Sequence, residues 1–339
     1  MNRHYRVRRQ FGLTLVEVLV ALTIGLIVLT GVVGVLVANR QTYRTSEALA
    51  RMQENARFSF EILGRSLRAS GGNLCGSTTI ANVLNNRSTD WWADWNNALR
   101  GYEGGDSGHD TSFPQPIGTS PGQRAADTDA VIVITGSLDT GFMITDHNPS
   151  AAQLKINTAD HGLNADEIAM ACDTGHAAIF QITNTNNSNP TIVHNTGTET
   201  PGNCSKKLGH PVDSNCGRVN PNPEPPEYNF NKSGFLTKLS AHAWYVGHNS
   251  RGSRSLYRLT LIGSSPKTEE VVPDVNDLQI EYLVKDGSEY VTATPVSDWN
   301  NVIATRVVLT TRDPTIRDSD GNYLTRQWYA VFRLRNIQP

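Results

Sequence analysis

The sequence predicts an α+β chain: one long N-terminal α-helix, apolar in its first half, ahead of an antiparallel β-sheet head. Three observations predict it. Leu13 to Ala38 is an unbroken apolar run whose only formal charge is Glu17. Apolar residues then recur every three or four positions as far as Leu67, just ahead of Gly71-Gly72. From Asp129 almost to the last residue the pattern changes to short strand-like runs separated by turn residues.

The 26 residues of the apolar run exceed the roughly 20 that a helix needs to span a bilayer. A carboxylate at such a depth costs about 2.5–3.5 kcal/mol on insertion scales, so Glu17 asks for a function. Ahead of the run stands a basic leader, residues 1–12, with Arg3, Arg6, Arg8 and Arg9. Those arginines predict a cytoplasmic N-terminus and an exported head. Overall net charge is −2, which leaves residues 13–339 at −6, so no basic surface excess points to nucleic acid. The leader is not ordered like a secretory signal. No small-residue cleavage site follows the apolar run, whereas Gln10-Phe11-Gly12 precedes it. A cut after Gly12 leaves the whole helix on the mature protein.

From Asn39 to Ser70 the helix continues as an amphipathic rod. Leu49, Met52, Ala56, Phe60, Leu63 and Leu67 form one stripe, and Arg51, Glu54, Arg57, Glu61, Arg65 and Arg68 occupy the other faces. Gly71-Gly72 ends it. Leu13–Ser70 as one helix measures roughly 87 Å at 1.5 Å per residue. Gly25, Gly31 and Gly34 are each about 1 kcal/mol worse than Ala as helix formers, and they favour close packing in lipid or local stretching in an assembly.

The head is expected over 73–339, with loops near 76–128 and 184–237 that lack a helical or strand period, apart from a short strand at Thr191–His194. Trp91, Trp92 and Trp95 cluster in the first loop and are read as covering the edge of a core. AVIVIT (130–135) reads as a buried strand and QLKINT (153–158) as an alternating one. EIAMACDTGHAAIFQIT reads as a hairpin about Asp173-Thr174-Gly175. A second hairpin turns over Asn249–Gly252, and DLQIEYLV, NVIATRVVLTTR and LTRQWYAVFRLRN give three more strands. In the last, Trp328, Ala330, Phe332 and Leu334 fall on one face, with Tyr329, Val331, Arg333 and Arg335 on the other.

The four cysteines, Cys75, Cys172, Cys204 and Cys216, all follow the apolar run, and an even number in an exported domain favours disulfides, with three connectivities open. Cys204 and Cys216 share one polar, Pro-rich stretch, which favours a local Cys204–Cys216 bridge and leaves Cys75 for Cys172. Zinc on His176 or His210 is disfavoured by the absence of CxxC or HxxxH spacing. Asp318-Ser319-Asp320-Gly321-Asn322 opens like a calcium loop, but Tyr323 and Tyr329 stand where an EF-hand needs Gly and Glu, so a turn is expected. Glu269, Glu270, Asp274 and Asp277 read as a solvated face. No G-x-S-x-G, HExxH or GxxxxGK[ST] occurs, so the chain is read as a non-enzyme with no cofactor and no metal.

RRQFG followed by LTLVEVLVAL resembles the type III signal of type IV prepilins and type II secretion pseudopilins: basic leader, Gly at −1, apolar residue at +1, Glu at +5. These are Gly12, Leu13 and Glu17. The usual +1 residue is Phe or Met, so Leu13 departs mildly. The resemblance implies cleavage after Gly12 by a prepilin peptidase and N-methylation of Leu13. It also assigns Glu17 a partner: in a staggered filament a neighbour's α-amine meets the carboxylate, making it a register device. Downstream, ACDTGHAAIFQIT, SLYRLTLIG, VVPDVNDLQIEYLV, the Trp299–Leu309 stretch and YAVFRLRN resemble PilW-like minor pilins. That resemblance implies a pilin-like fold: a leader (1–12), a transmembrane or filament-core helix (13–38), its amphipathic continuation (39–72) and a periplasmic head. It further implies an inner-membrane subunit that primes pilus polymerisation and then resides in the pilus, with a tip position, twitching motility and adhesion as further expectations. Implied partners are other minor pilins, the major pilin, the prepilin peptidase, the inner-membrane assembly platform and a tip adhesin. The competing readings are a minor pseudopilin of a type II secretion system and a membrane-anchored glycan-binding adhesin.

Overall fold

The computed structural model describes residues 12, 14–105, 112–197, 200–214, 216, 224–230, 234–263, 265–318 and 320–334. One helix, α1, runs Leu15–Ala69. The chain divides into two compact units between Arg51 and Met52. The strands of the second unit are β1 Ile80–Asn82, β2 Leu99–Tyr102, β3 Ala130–Asn148, β4 Gln153–Ile156, β5 Ile168–Cys172, β6 Ala177–Gln181, β7 Asn184–Thr185 and β8 Thr191–Val193. They continue with β9 Phe235–His248, β10 Arg254–Ile262, β11 Ser265–Pro273, β12 Val275–Val284, β13 Tyr290–Val291, β14 Val302–Arg317 and β15 Tyr323–Arg333.

Two sheets result. The larger has the path β1-β6-β5-β9-β3-β4-β8-β7, with β2 on β3 and β10 and β11 extending from β9; the smaller is β13-β12-β14-β15. Both expected hairpins form, β5 on β6 and β9 on β10. Three features depart from the sequence expectation of an antiparallel head with unstructured loops. β1 pairs parallel with β6. β1 and β2 lie inside 76–128, and β7 lies inside 184–237 ahead of the short strand β8, which falls in the expected 191–194 stretch. β11 extends the second hairpin, although SPKTEEVVP carries no apolar alternation; seven of its nine residues are exposed. As an edge strand it draws its stability from the backbone ladder with β10.

Within the second unit the helix packs through Ala56, Leu63 and Leu67 into a core shared by both sheets. Val131, Val133, Trp244 and Val246 come from the larger sheet, and Leu278, Ile280, Val307, Leu309 and Phe332 from the smaller. The opposite face of the larger sheet is covered too: Ile132, Ile134, Ala241, Ala243 and Tyr245 pack with Leu84, Trp92 and Phe113. Burial on both faces explains why AVIVIT is apolar without alternation. The helix stops with Gly71 in the left-handed region (φ 67°), its N–H donating to Ile134 O at 2.9 Å. Asp129 joins the sheets from just ahead of β3. Its carboxylate accepts the Gly104 and Ile280 N–H groups, both at 2.8 Å, and its own N–H donates to Leu278 O. Burial raises its pKa to about 6.

The seam also contains Ser59 and Gly64, which the apolar stripe did not include. A Cβ on Gly64 runs into the Phe332 ring. Gly64→Ala therefore displaces the Phe332 ring. Its gain in helix propensity, about 1 kcal/mol, is opposed by overpacking of about 1–3 kcal/mol. The expected result is a lower melting temperature, restored by adding Phe332→Leu; a rise in melting temperature from Gly64→Ala alone contradicts this packing.

A third core surrounds Phe180 and Phe230. It buries two imidazoles, His147 and His194, with ring centroids 5.4 Å apart. Phe230 N–H donates to His147 Nδ1 at 3.3 Å, while His147 Nε2 and both His194 ring nitrogens find no hydrogen-bond partner among the described residues. Desolvation holds the pKa of His147 down to about 4 and that of His194 to about 3. The neutral rings thus contribute stability above the unfolded value near 6.5, and this is lost as pH falls toward the folded values. Each ring is expected to account for about 2–3 kcal/mol of stability lost between pH 6.5 and 4. Asp129, with its raised pKa, works in the opposite direction over the same window. Urea unfolding across pH reads the sum, and His194→Leu should flatten the acid limb; an unchanged limb contradicts the assignment.

Candidate assembly element

The membrane-length segment begins with a built cap. Thr14 O accepts the Glu17 and Val18 N–H groups at 3.1 and 3.2 Å, and Thr14 Oγ1 lies 3.3 Å from the Glu17 N–H donor. Glu17 is thereby the third residue of the helix, in the Thr-x-x-Glu spacing of a capping box, where a negative charge also complements the helix dipole. Gly12 is exposed, whereas Leu13 and the leader arginines lie outside the described residues.

From Val18 to Ala38 the helix presents apolar surface interrupted only by Thr23 and Thr30. Leu19, Leu22, Leu26, Leu29 and Leu36 are each more than half exposed, and none of the most apolar window is buried. Thr23 and Thr30 return their hydroxyls to the Val20 and Leu26 carbonyls, both at 2.8 Å, so neither offers an unspent donor to its surroundings. Nothing lies within 4 Å of a Cβ placed on Gly25, Gly31 or Gly34. An apolar surface of this extent is not stable in water and marks a membrane or protein contact. Glu17 is the only charged side chain between Thr14 and Ala38.

The other candidate residues take structural places. Cys75 is bonded to Cys172 (S–S 2.05 Å) and Cys204 to Cys216 (2.01 Å). Trp92 is buried in the second core, and Trp91 and Trp95 pack partly buried against it. The acidic cluster is not a bare solvated face. Glu269 pairs with Arg258 at 2.8 Å, Glu270 with Arg251, and burial raises the pKa of Asp277. Asp318 closes a turn, its carboxylate accepting the Asp320 and Asn322 N–H groups at 3.0 and 2.8 Å. Among the described residues no group of three or more His, Cys, Asp or Glu is placed to hold a metal ion.

The comparison with protein families finds two matches, one at each end of the chain. Residues 7–33 match the Prokaryotic N-terminal methylation motif, and residues 243–335 match the Type IV Pilus-assembly protein W. The chain matches a PilW-like type IV pilin with a prepilin signal. No curated protein and no solved structure matches it. In this PilW-like chain the second match spans most of β9 and all of β10–β15, and so contains the whole smaller sheet. That sheet supplies Phe332, which fills the notch at Gly64 on the helix. The matched stretches are thus the start of the apolar helix and the sheet against which the helix seats within the second unit.

One feature of the PilW-like head escaped the sequence reading. Asp94-Trp95-Asn96-Asn97 and Asp298-Trp299-Asn300-Asn301 are the same tetrapeptide, each forming a 3-10 turn over its last three residues. The repeat was visible in the sequence, but its copies are about 200 residues apart and only the fold brings them together.

Proposed function

We propose that this chain is a minor pilin that primes type IV pilus polymerisation from the inner membrane and then enters the filament. Cleavage occurs after Gly12, the new N-terminus at Leu13 is N-methylated, and Glu17 receives the α-amine of a neighbouring subunit. The observation that carries this reading is the exposed apolar helix start with one carboxylate at its third residue, inside the methylation-motif match. A buried carboxylate or ammonium left alone is costly, and pairing the two offsets that cost only in correct register. The partners are other minor pilins, the major pilin, the prepilin peptidase and the assembly platform; a place at the tip, beside an adhesin, follows from a priming role. Twitching motility and adhesion depend on the fibre so formed.

Deletion of the gene tests the reading at the level of the cell. Loss of surface pili and twitching with intact protein secretion is expected. Intact pili with lost secretion contradicts it and makes the chain a pseudopilin.

A further inference from the structure

The two Asp-Trp-Asn-Asn turns meet. Asn300 Nδ2 donates to Asn96 O at 3.2 Å, linking one turn to the other. Each aspartate braces its own turn. Asn97 Nδ2 donates to Asp94 Oδ2 at 2.6 Å, and Asp298 accepts Asn300 N at 3.0 Å and Asn301 Nδ2 at 2.9 Å. Lys285 N donates to Asn301 O at 2.7 Å, fixing the lysine beside the second turn. Together they form one wall of a cleft of about 840 Å³, within the size range of small-molecule sites. The segment that follows the helix stop, residues 70–73 and 76–80, lines it as well.

The lining is chemically selective. Trp95 and Trp299 are both half-buried, and neither indole N–H is spent on a hydrogen bond among the described residues. Asn96 is exposed, and its side-chain amide is likewise uncommitted there. Trp299 is steadied edge-on by Tyr282, with centroids 4.9 Å apart and planes at 90°. Among the described residues no carboxylate lines the cleft, and Lys285 is the one lining side chain of fixed charge. Flat apolar rings beside amides able to donate and accept together suit a ligand with both C–H faces and many hydroxyls. A hydrophobic protein segment suits this mostly polar lining less well.

We infer that the cleft between the twin Asp-Trp-Asn-Asn turns is a saccharide-binding site. Trp95 and Trp299 are its stacking platforms, Asn96 and Asn300 bind hydroxyls, and Lys285 favours a sugar carrying a carboxylate. The inference concerns the head alone and does not depend on the role of the helix in a filament.

The test uses the full chain in nanodiscs, titrated with N-acetylchitotriose, maltotriose and trigalacturonate, and read by saturation-transfer NMR and calorimetry. Binding of at least one trisaccharide is expected, weakened about tenfold or more by Trp95→Ala and several-fold by Asn96→Ala. Lys285→Gln should weaken trigalacturonate and leave the neutral sugars unchanged. Because Asn96 is exposed and makes no side-chain hydrogen bond, its variant keeps the test valid if Trp95→Ala unfolds the head. No binding of any of the three, or binding that both Trp95→Ala and Asn96→Ala leave unchanged, overturns the inference. A photo-crosslinking residue at position 96 that captures another pilin subunit in assembled pili overturns it as well, making the cleft a subunit interface.

Discussion

Glu17→Ala is expected to leave the protein inserted in the membrane and its head folded, yet to reduce its incorporation into pili at least tenfold. The carboxylate sits on the exposed first turn of the helix. Removing one partner of a buried ion pair costs about 3–5 kcal/mol, and about 1.4 kcal/mol suffices for a tenfold change in an equilibrium. The loss of the helix-cap complement is smaller, about 0.3–1 kcal/mol, so a defect in assembly with normal abundance separates the two effects. Glu17→Gln keeps the shape and a hydrogen-bonding group without the charge and should fall between the two. Immunoblots of sheared pili against membrane fractions measure the ratio. Normal incorporation of Glu17→Ala would show that the charge plays no part in register.

The second large effect is expected from the Cys75–Cys172 bridge. The two cysteines lie 97 residues apart, against 12 for Cys204–Cys216. Cross-links that close longer loops restrict the unfolded chain more, so replacing both Cys75 and Cys172 with Ala should cost about 3–5 kcal/mol. The Cys204/Cys216 pair should cost about 2–3 kcal/mol. The first bridge also ties the segment leaving the helix stop to β5, which is paired on both edges, by β6 and β9. Urea unfolding of the full chain in detergent under oxidising conditions compares the two double variants. A larger loss from the Cys204/Cys216 change contradicts the loop argument.

Elements carried by side-chain period were legible in the sequence. The amphipathic stripe from Met52 to Leu67 and the Gly71 stop needed only the helical repeat, and Trp328, Ala330 and Phe332 in β15 needed only alternation. Elements carried by long-range backbone pairing were not. Ile80–Asn82 is three residues long and finds its parallel partner nearly 100 residues away. Ser265–Pro273 is polar because it is an edge. Nothing in the helical repeat marks Gly64, and only the fold places Phe332 opposite it. The same holds for the sites. The Gly12-Leu13-Glu17 arrangement is local and could be read as a string, whereas the twin Asp-Trp-Asn-Asn turns acquire meaning only when folding places Asn300 against Asn96.

The central claim is that the apolar helix is an assembly element released by a cut ahead of it. Mass spectrometry of the N-terminus of the protein recovered from membranes tests this most directly. The account predicts a chain beginning at Leu13 with a methyl group on its amine. A chain that still begins at Met1 would contradict it and return the helix to the status of a simple anchor.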